Sequence, residues 1–351
     1  MKNQKGNTGI EIGLFTLGDL VPGRAPNAQQ RIKEIIAMAQ LADESGLDVF
    51  GVGEHHRLDY ATSSPAVVLS AIATITKRIR LMSATTVLST VDPVRLFEDF
   101  ATVDVISGGR IEMIAGRGAF IESFPLFGYD TSDYDALFAE NLGLFLQLNE
   151  NERITWEGRF RSPLRNAEIA PRPIQKGIPT WVGVGGTPNS AVRAGRFGVG
   201  MAIALLGGDP ERFKPLVDLY RKAGIEYGHS LEDLKISVNG HGYFSTTTEQ
   251  ARDEFFPYYS NYWAYVNRQR GMSGGKMSRA DFDYMTSPES ALFVGSPEQI
   301  VEKILQQYEL FGHHRFMAQI DIGGVPFEKI AKSIELLATK IAPAVRKATK
   351  K

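Results

Sequence analysis

The residues best suited to acid/base chemistry are Glu54-His55-His56-Arg57, which directly follow the apolar run Asp48 to Gly53. Imidazoles change charge near neutral pH, and a neighbouring carboxylate fixes a tautomer or favours the protonated ring. His55 is the candidate acid/base, with Glu54 or a backbone group to orient it. A metal site is not expected. Consecutive side chains point in different directions, and His229, His241, His313 and His314 show no ligand spacing.

Three further fragments have the chemistry of a ligand cradle. In Ala115-Gly116-Arg117-Gly118 the flanking glycines let backbone approach a ligand, and a guanidinium forks onto phosphate. Val182-Gly183-Val184-Gly185-Gly186-Thr187-Pro188 runs from a β pattern through glycines into a capped helix start, the outline of an anion site. It lacks the third glycine and the acidic ribose reader of a dinucleotide fingerprint. Ser83-Ala84-Thr85-Thr86 is a run of small residues with room for a flat ligand. Each fragment alone also fits an ordinary turn or strand end, so their common position carries the argument.

That position is set by short β-branched runs alternating with helical periods. Strands are expected near Ile10 to Thr16, Asp48 to Gly53, Arg80 to Val87, Arg110 to Ala115, Thr180 to Val184, Val199 to Ala204, Leu234 to Phe244 and Arg315 to Ile322. Between them, Ile32, Ile35, Ile36 and Ala39 mark one amphipathic helix, and Phe327, Ile330, Ile334, Leu337 and Ile341 another. Asp92-Pro93, Thr187-Pro188 and the capping box Ser296 to Gln299 mark helix starts, while Ser107-Gly108-Gly109 and Phe311-Gly312 mark stops.

This pattern in one 351-residue chain without a linker fits a single α/β domain, a (β/α)8 TIM barrel with insertions spanning 1–351. A doubly wound open sheet is the alternative. Insertions are expected at Asn151 to Gly177 and Arg268 to Ser287. The second, with Gly271, Gly274 and Gly275, reads as a mobile active-site lid over 268–287. In a barrel the active site lies beyond the carboxyl ends of the strands, where all four fragments fall.

Composition narrows the setting. The chain has 39 Lys+Arg against 40 Asp+Glu, a net charge of -1, which gives no positive field for nucleic acid or anionic lipid. The longest comparable apolar run, Ala66 to Ile75, is too short for a membrane span. With no Cys there are no disulfides, thiolate nucleophiles or Cys-bound clusters. A cytoplasmic location is expected. Phe120, Phe124, Trp181, Tyr258, Tyr259 and Trp263 are candidates for an apolar pocket.

Taken together, the motifs resemble the bacterial luciferase-like flavin-dependent monooxygenases. The resemblance rests on Gly53-Glu54-His55-His56, then Ser83 to Leu88 with Asp92-Pro93-Val94-Arg95, Ser107-Gly108-Gly109-Arg110, Arg117-Gly118 with Phe127-Gly128, and Val294-Gly295-Ser296-Pro297-Glu298. It implies a barrel that binds reduced FMN, supplied by a separate flavin reductase, and a homodimer. By the same resemblance, O2 adds to the flavin C4a carbon and the peroxyflavin oxygenates a small organic substrate. His55 matches the family's catalytic histidine and Arg117 the arginine that grips the flavin phosphate. Ala84-Thr85 falls where relatives have a non-proline cis peptide beneath the flavin ring, and Gly185, Gly186 and Ser190 fall on the segment that closes the phosphate site. Gly116 stands in place of the reactive cysteine of true luciferases, and Gly185-Gly186 in place of a Glu-Ser pair, which points to the non-luminescent branch. An FMN/NAD(P)H- or F420-dependent oxidoreductase on the same barrel, and a non-catalytic flavin-binding protein, are the alternatives.

Overall fold

The structure, a computed structural model, describes residues 9–21, 26–269 and 275–350. In chain order its strands are β1 (Glu11–Thr16), β2 (Val49–Val52), β3 (Arg80–Val87), β4 (Ile111–Gly116), β5 (Arg153–Trp156), β6 (Leu164–Glu168), β7 (Thr180–Val184), β8 (Gly200–Leu205), β9 (Ile236–Phe244), β10 (Phe293–Gly295) and β11 (Arg315–Gln319). The helices are α1 (Ala28–Glu44), α2 (Pro65–Ile75), α3 (Pro93–Ser107), α4 (Ser123–Phe127), α5 (Tyr134–Glu150), α6 (Pro188–Arg196), α7 (Lys214–Glu226), α8 (Thr248–Gln269), α9 (Arg279–Met285), α10 (Pro297–Phe311), α11 (Phe327–Leu336) and α12 (Ala342–Thr349).

Eight of these strands pair in parallel in the order β1-β2-β3-β4-β7-β8-β9-β11, and β11 returns to β1. The sheet is therefore a closed barrel, and the doubly wound alternative falls. Each barrel strand coincides with one of the eight β-branched runs, within a few residues at either end. β10 extends β9 at Gly242 to Phe244.

Two apolar cores hold the barrel. The larger lies between strands and helices, where Ile35, Met38, Ala39 and Ala42 of α1 turn inward. The smaller fills the barrel with Phe15, Val49, Met82, Ala84, Ile114, Trp181, Ala202 and Met317. Beneath it, where the strands begin, sits a layer of charge. Glu112 accepts from Arg315 Nη1 at 2.7 Å and from Trp181 Nε1 at 2.9 Å, and Arg80 also donates to it. Burial alone would push the Glu112 carboxyl up, but Arg315 and Arg80 overcome it and hold the pKa down to about 2.

Local signals behave as their chemistry dictates, with three departures. Asp92 Oδ1 accepts from Val94 and Arg95 N–H, and Gly108 and Gly312 end α3 and α10 in the left-handed region. Arg110 forks onto the Ala73 and Thr76 carbonyls at the end of α2, so the Ser107 to Arg110 motif does structural work. Thr187, however, gives α6 no side-chain cap; its hydroxyl accepts from Arg117 instead. The box at Ser296 closes on one side only, because Gln299 Oε1 accepts from Thr248, whose oxygen in turn takes the Ser296 N–H. Finally, the 268–287 segment contains α9, capped by Ser278 and anchored by buried Phe282; its residues 270–274, including Gly271 and Gly274, lie outside the described residues.

The Asn151 to Gly177 insertion forms the antiparallel β5–β6 hairpin. Its arginines have identifiable tasks. Arg172 caps the last carbonyls of α5, at Leu148 and Asn149, and Arg161 pairs with Asp92.

Candidate active site

A cavity of about 330 Å³ opens at the carboxyl ends of the strands. Glu54, His55, Ala84, Thr85, Arg117, Gly118 and Gly185 all line it. Gly186 and Ser190 do not. Gly186 takes φ +129° as the chain turns into α6, and Ser190 is on the buried side of that helix, 1% exposed. Of the candidate aromatics only Phe120 is in the wall. Trp181 seals the barrel below, and Phe124 and Tyr259 are fully buried in the packing.

The two histidines have separate carboxylates. Glu54 pairs with His56 two residues on, His56 Nε2 and Glu54 Oε1 being 2.8 Å apart. Glu54 Oε2 accepts from the Val87 N–H. The expected pairing of Glu54 with His55 therefore does not occur. His55 Nδ1 instead lies 3.8 Å from Glu122 Oε1, with its ring 4.0 Å from that of Tyr60 and 5.4 Å from that of Phe120. Burial would raise the Glu122 carboxyl, but the His55 imidazole and a backbone N–H outweigh it, so the group is held below its ordinary value. Glu122 follows β4 in a loop of apolar and small residues, and its position relative to His55 depends on long-range closure.

At the other side of the mouth is an anion cradle. Arg117 donates to Thr187 Oγ1 at 3.1 Å and to Asp135 Oδ1 at 2.7 Å, and its guanidinium lies 5.1 Å from the Tyr134 ring centre. Arg193 on α6 approaches the same Asp135 at 3.7 Å. Two guanidiniums thus share one carboxylate. Ser190 Oγ and Arg193 Nη1 are buried without a hydrogen-bond partner, and a β-carbon at Gly185 or Gly186 would meet only open space. Orphaned donors, a surplus cation and free volume at a helix N-terminus are what a phosphate monoester requires.

Between these ends lies an apolar slot walled by Phe15, Leu17, Val87 and Ile114. The Ala84-Thr85 peptide is cis. Asn239, His241 and Gln319 close the far wall, and none of them is marked by a sequence motif. The available signal was alternation: Ser237, Asn239 and His241 recur at period two in an otherwise apolar strand, which places polar atoms on its inner face.

This fold and site are those of an α/β barrel whose cavity, at the carboxyl ends of the strands, joins an arginine-rich cradle, an apolar slot and an imidazole. The sequence signature of the luciferase-like monooxygenases matches residues 10–315, and the chain belongs to that family, as an oxidoreductase. The oxygenase component of the flavin-dependent trigonelline monooxygenase of Acinetobacter baylyi is 24% identical, with 90% of each chain covered. Among solved structures, monooxygenase RslO1 from Streptomyces bottropensis superposes with a TM-score of 0.84 at 24% identity, covering 95% of this chain and 99% of its own. The oxygenating constituent of 3,6-diketocamphane monooxygenase from Pseudomonas putida, in complex with FMN, gives 0.78 at 21%, covering 95% and 98%.

Proposed function

We propose that the chain is the oxygenase of a two-component system, taking reduced FMN from a separate reductase and placing one atom of O2 on a small organic substrate. The observation that carries this reading is one cavity joining the Arg117 anion cradle, the slot over Ala84 and Thr85, and His55 backed by a carboxylate. When bound, reduced FMN supplies the electrons that activate O2.

The protein's own residues do the rest. Arg117, Thr187 and the first turn of α6 hold the phosphate, with Gly118 and Gly185 giving backbone access. Ala84 and Thr85 present small side chains to a planar ring. Phe15, Leu17 and Val87 exclude water from it. His55 takes up or delivers a proton at the substrate, and Glu122 steadies the charged ring when it forms.

The reading extends to a cytoplasmic homodimer. α2 and α3 pack side by side and leave Val67 68%, Val105 47% and Ile106 46% exposed, apolar side chains that a second copy would cover. Among the described residues no helix is long and apolar enough to cross a membrane.

The test is an anaerobic titration of the purified protein with reduced FMN, followed by admission of O2 in a stopped-flow spectrometer. Saturable binding and oxygen consumption coupled to an acceptor are expected. Absence of FMN binding in either redox state, or binding of F420 in its place, sinks the FMN assignment.

A further inference from the structure

The cavity is chemically two-ended. Its formally charged side chains, Glu54, Arg117 and Glu122, follow β2 and β4. The opposite wall, supplied by β8, β9 and β11, presents Ala202, Ala204, Asn239, His241 and Gln319. Three polar groups meet there through register. Asn239 and His241 are two apart on β9, and Gln319 pairs with His241 across the β9–β11 ladder, so all three side chains share the inner face.

Two of the three have protein partners. Asn239 Oδ1 accepts from the Ser237 hydroxyl at 2.9 Å, and His241 Nδ1 lies 3.1 Å from the Tyr259 hydroxyl. Gln319 is 1% exposed, and neither its Oε1 nor its Nε2 has a hydrogen-bond partner. A buried amide unpaired at both ends destabilises the fold, and a leucine of similar size would occupy the position without that loss. Its place in the cavity wall shows what the amide is free to meet.

We infer that Gln319, flanked by Asn239 and His241, recognises a neutral group that offers a donor and an acceptor side by side: the edge of an amide, lactam or imide. The inference rests on the proposed function for what enters the cavity. A glutamine donates through Nε2 and accepts through Oε1 in one plane, so such an edge completes both bonds together. A carboxylate or an ammonium would meet no opposite charge on this wall, and burial penalises either. His241 cannot serve as the missing cation, because burial holds its pKa down to about 3. Two sources carry this chemistry, an amide-bearing substrate and the imide edge of the flavin ring.

Wild type and Gln319→Leu, as full chains, separate them. FMN affinity is read from fluorescence quenching, δ-valerolactam affinity from calorimetry, and folding from thermal unfolding. The expected result is a leucine variant that melts no lower than wild type and loses about tenfold in affinity for one of the two probes. A loss confined to δ-valerolactam assigns the site to substrate; a loss in FMN affinity assigns it to the cofactor edge. Both affinities within about twofold of wild type overturn the inference, as does tighter binding of cyclohexanecarboxylate than of the lactam. A wild type that ignores FMN but binds the lactam through Gln319 sinks the flavin reading and leaves this one standing.

Discussion

The Thr85 side chain occupies the space that a β-carbon at residue 116 would need. The pairing of β3 with β4 explains why: Ala84 registers with Ile114 and Thr86 with Ala115, so Thr85 is the extra residue of a bulge and its side chain stands over the end of β4. Glycine at 116 and threonine at 85 are one packing solution. A cysteine at 116 collides with Thr85 unless one of them shifts.

Gly116→Cys should therefore destabilise the protein by about 1–3 kcal/mol through overpacking. Adding Thr85→Ala should recover most of that loss. Urea denaturation of both single variants and the double variant measures the coupling, and strictly additive effects would contradict the packing account.

Arg117→Ala removes the guanidinium that bridges Thr187 and Asp135. FMN affinity should fall about 10–100-fold, and Arg117→Lys should regain only part of it, since an ammonium lacks the planar fork. Equilibrium titration with FMN reads both.

Glu122→Gln should lower turnover about ten- to a hundredfold while leaving FMN affinity unchanged, because it touches His55 and not the phosphate cradle. The carboxyl is held below its ordinary value and is therefore ionised at neutral pH. Glu54→Gln acts on His56 and should leave turnover closer to wild type than Glu122→Gln does.

Glu112 gives stability its own pH dependence. Its pKa falls from an ordinary 4.5 to about 2 on folding. A depressed carboxylate contributes fully above the unfolded value and loses its contribution as pH drops through the folded one, here between about 4.5 and 2. Glu112→Gln leaves Arg315 with Glu11 as its remaining carboxylate partner and should lose about 1–3 kcal/mol at pH 7, with a flatter profile in acid. Denaturant midpoints across pH report both.

Val67→Glu on α2 should shift the proposed homodimer to monomer without loss of helix content, as sedimentation and circular dichroism would show. The side chain is 68% exposed, so the isolated chain tolerates the charge and an apolar contact with a second copy does not.

Much of this was legible in the sequence because barrel strands buried on both faces read as near-continuous apolar runs. All eight were recognisable as short β-branched runs alternating with helical periods. The β5–β6 hairpin was not, since its strands carry exposed residues such as Arg153 and Glu168 and pair only with each other. Arg117 was marked by flanking glycines and His55 by its place after a strand. Glu122 and Gln319 have no such marker: one reaches His55 through a loop, the other reaches the cavity through ladder register, and both depend on closure of the barrel.

The layer of Glu112, Arg315 and Trp181 also governs traffic. Among the described residues it stoppers the barrel where the strands begin, which turns the cavity into a blind well. A ligand that reaches Gln319 therefore enters and leaves on the same side, at the carboxyl ends of the strands.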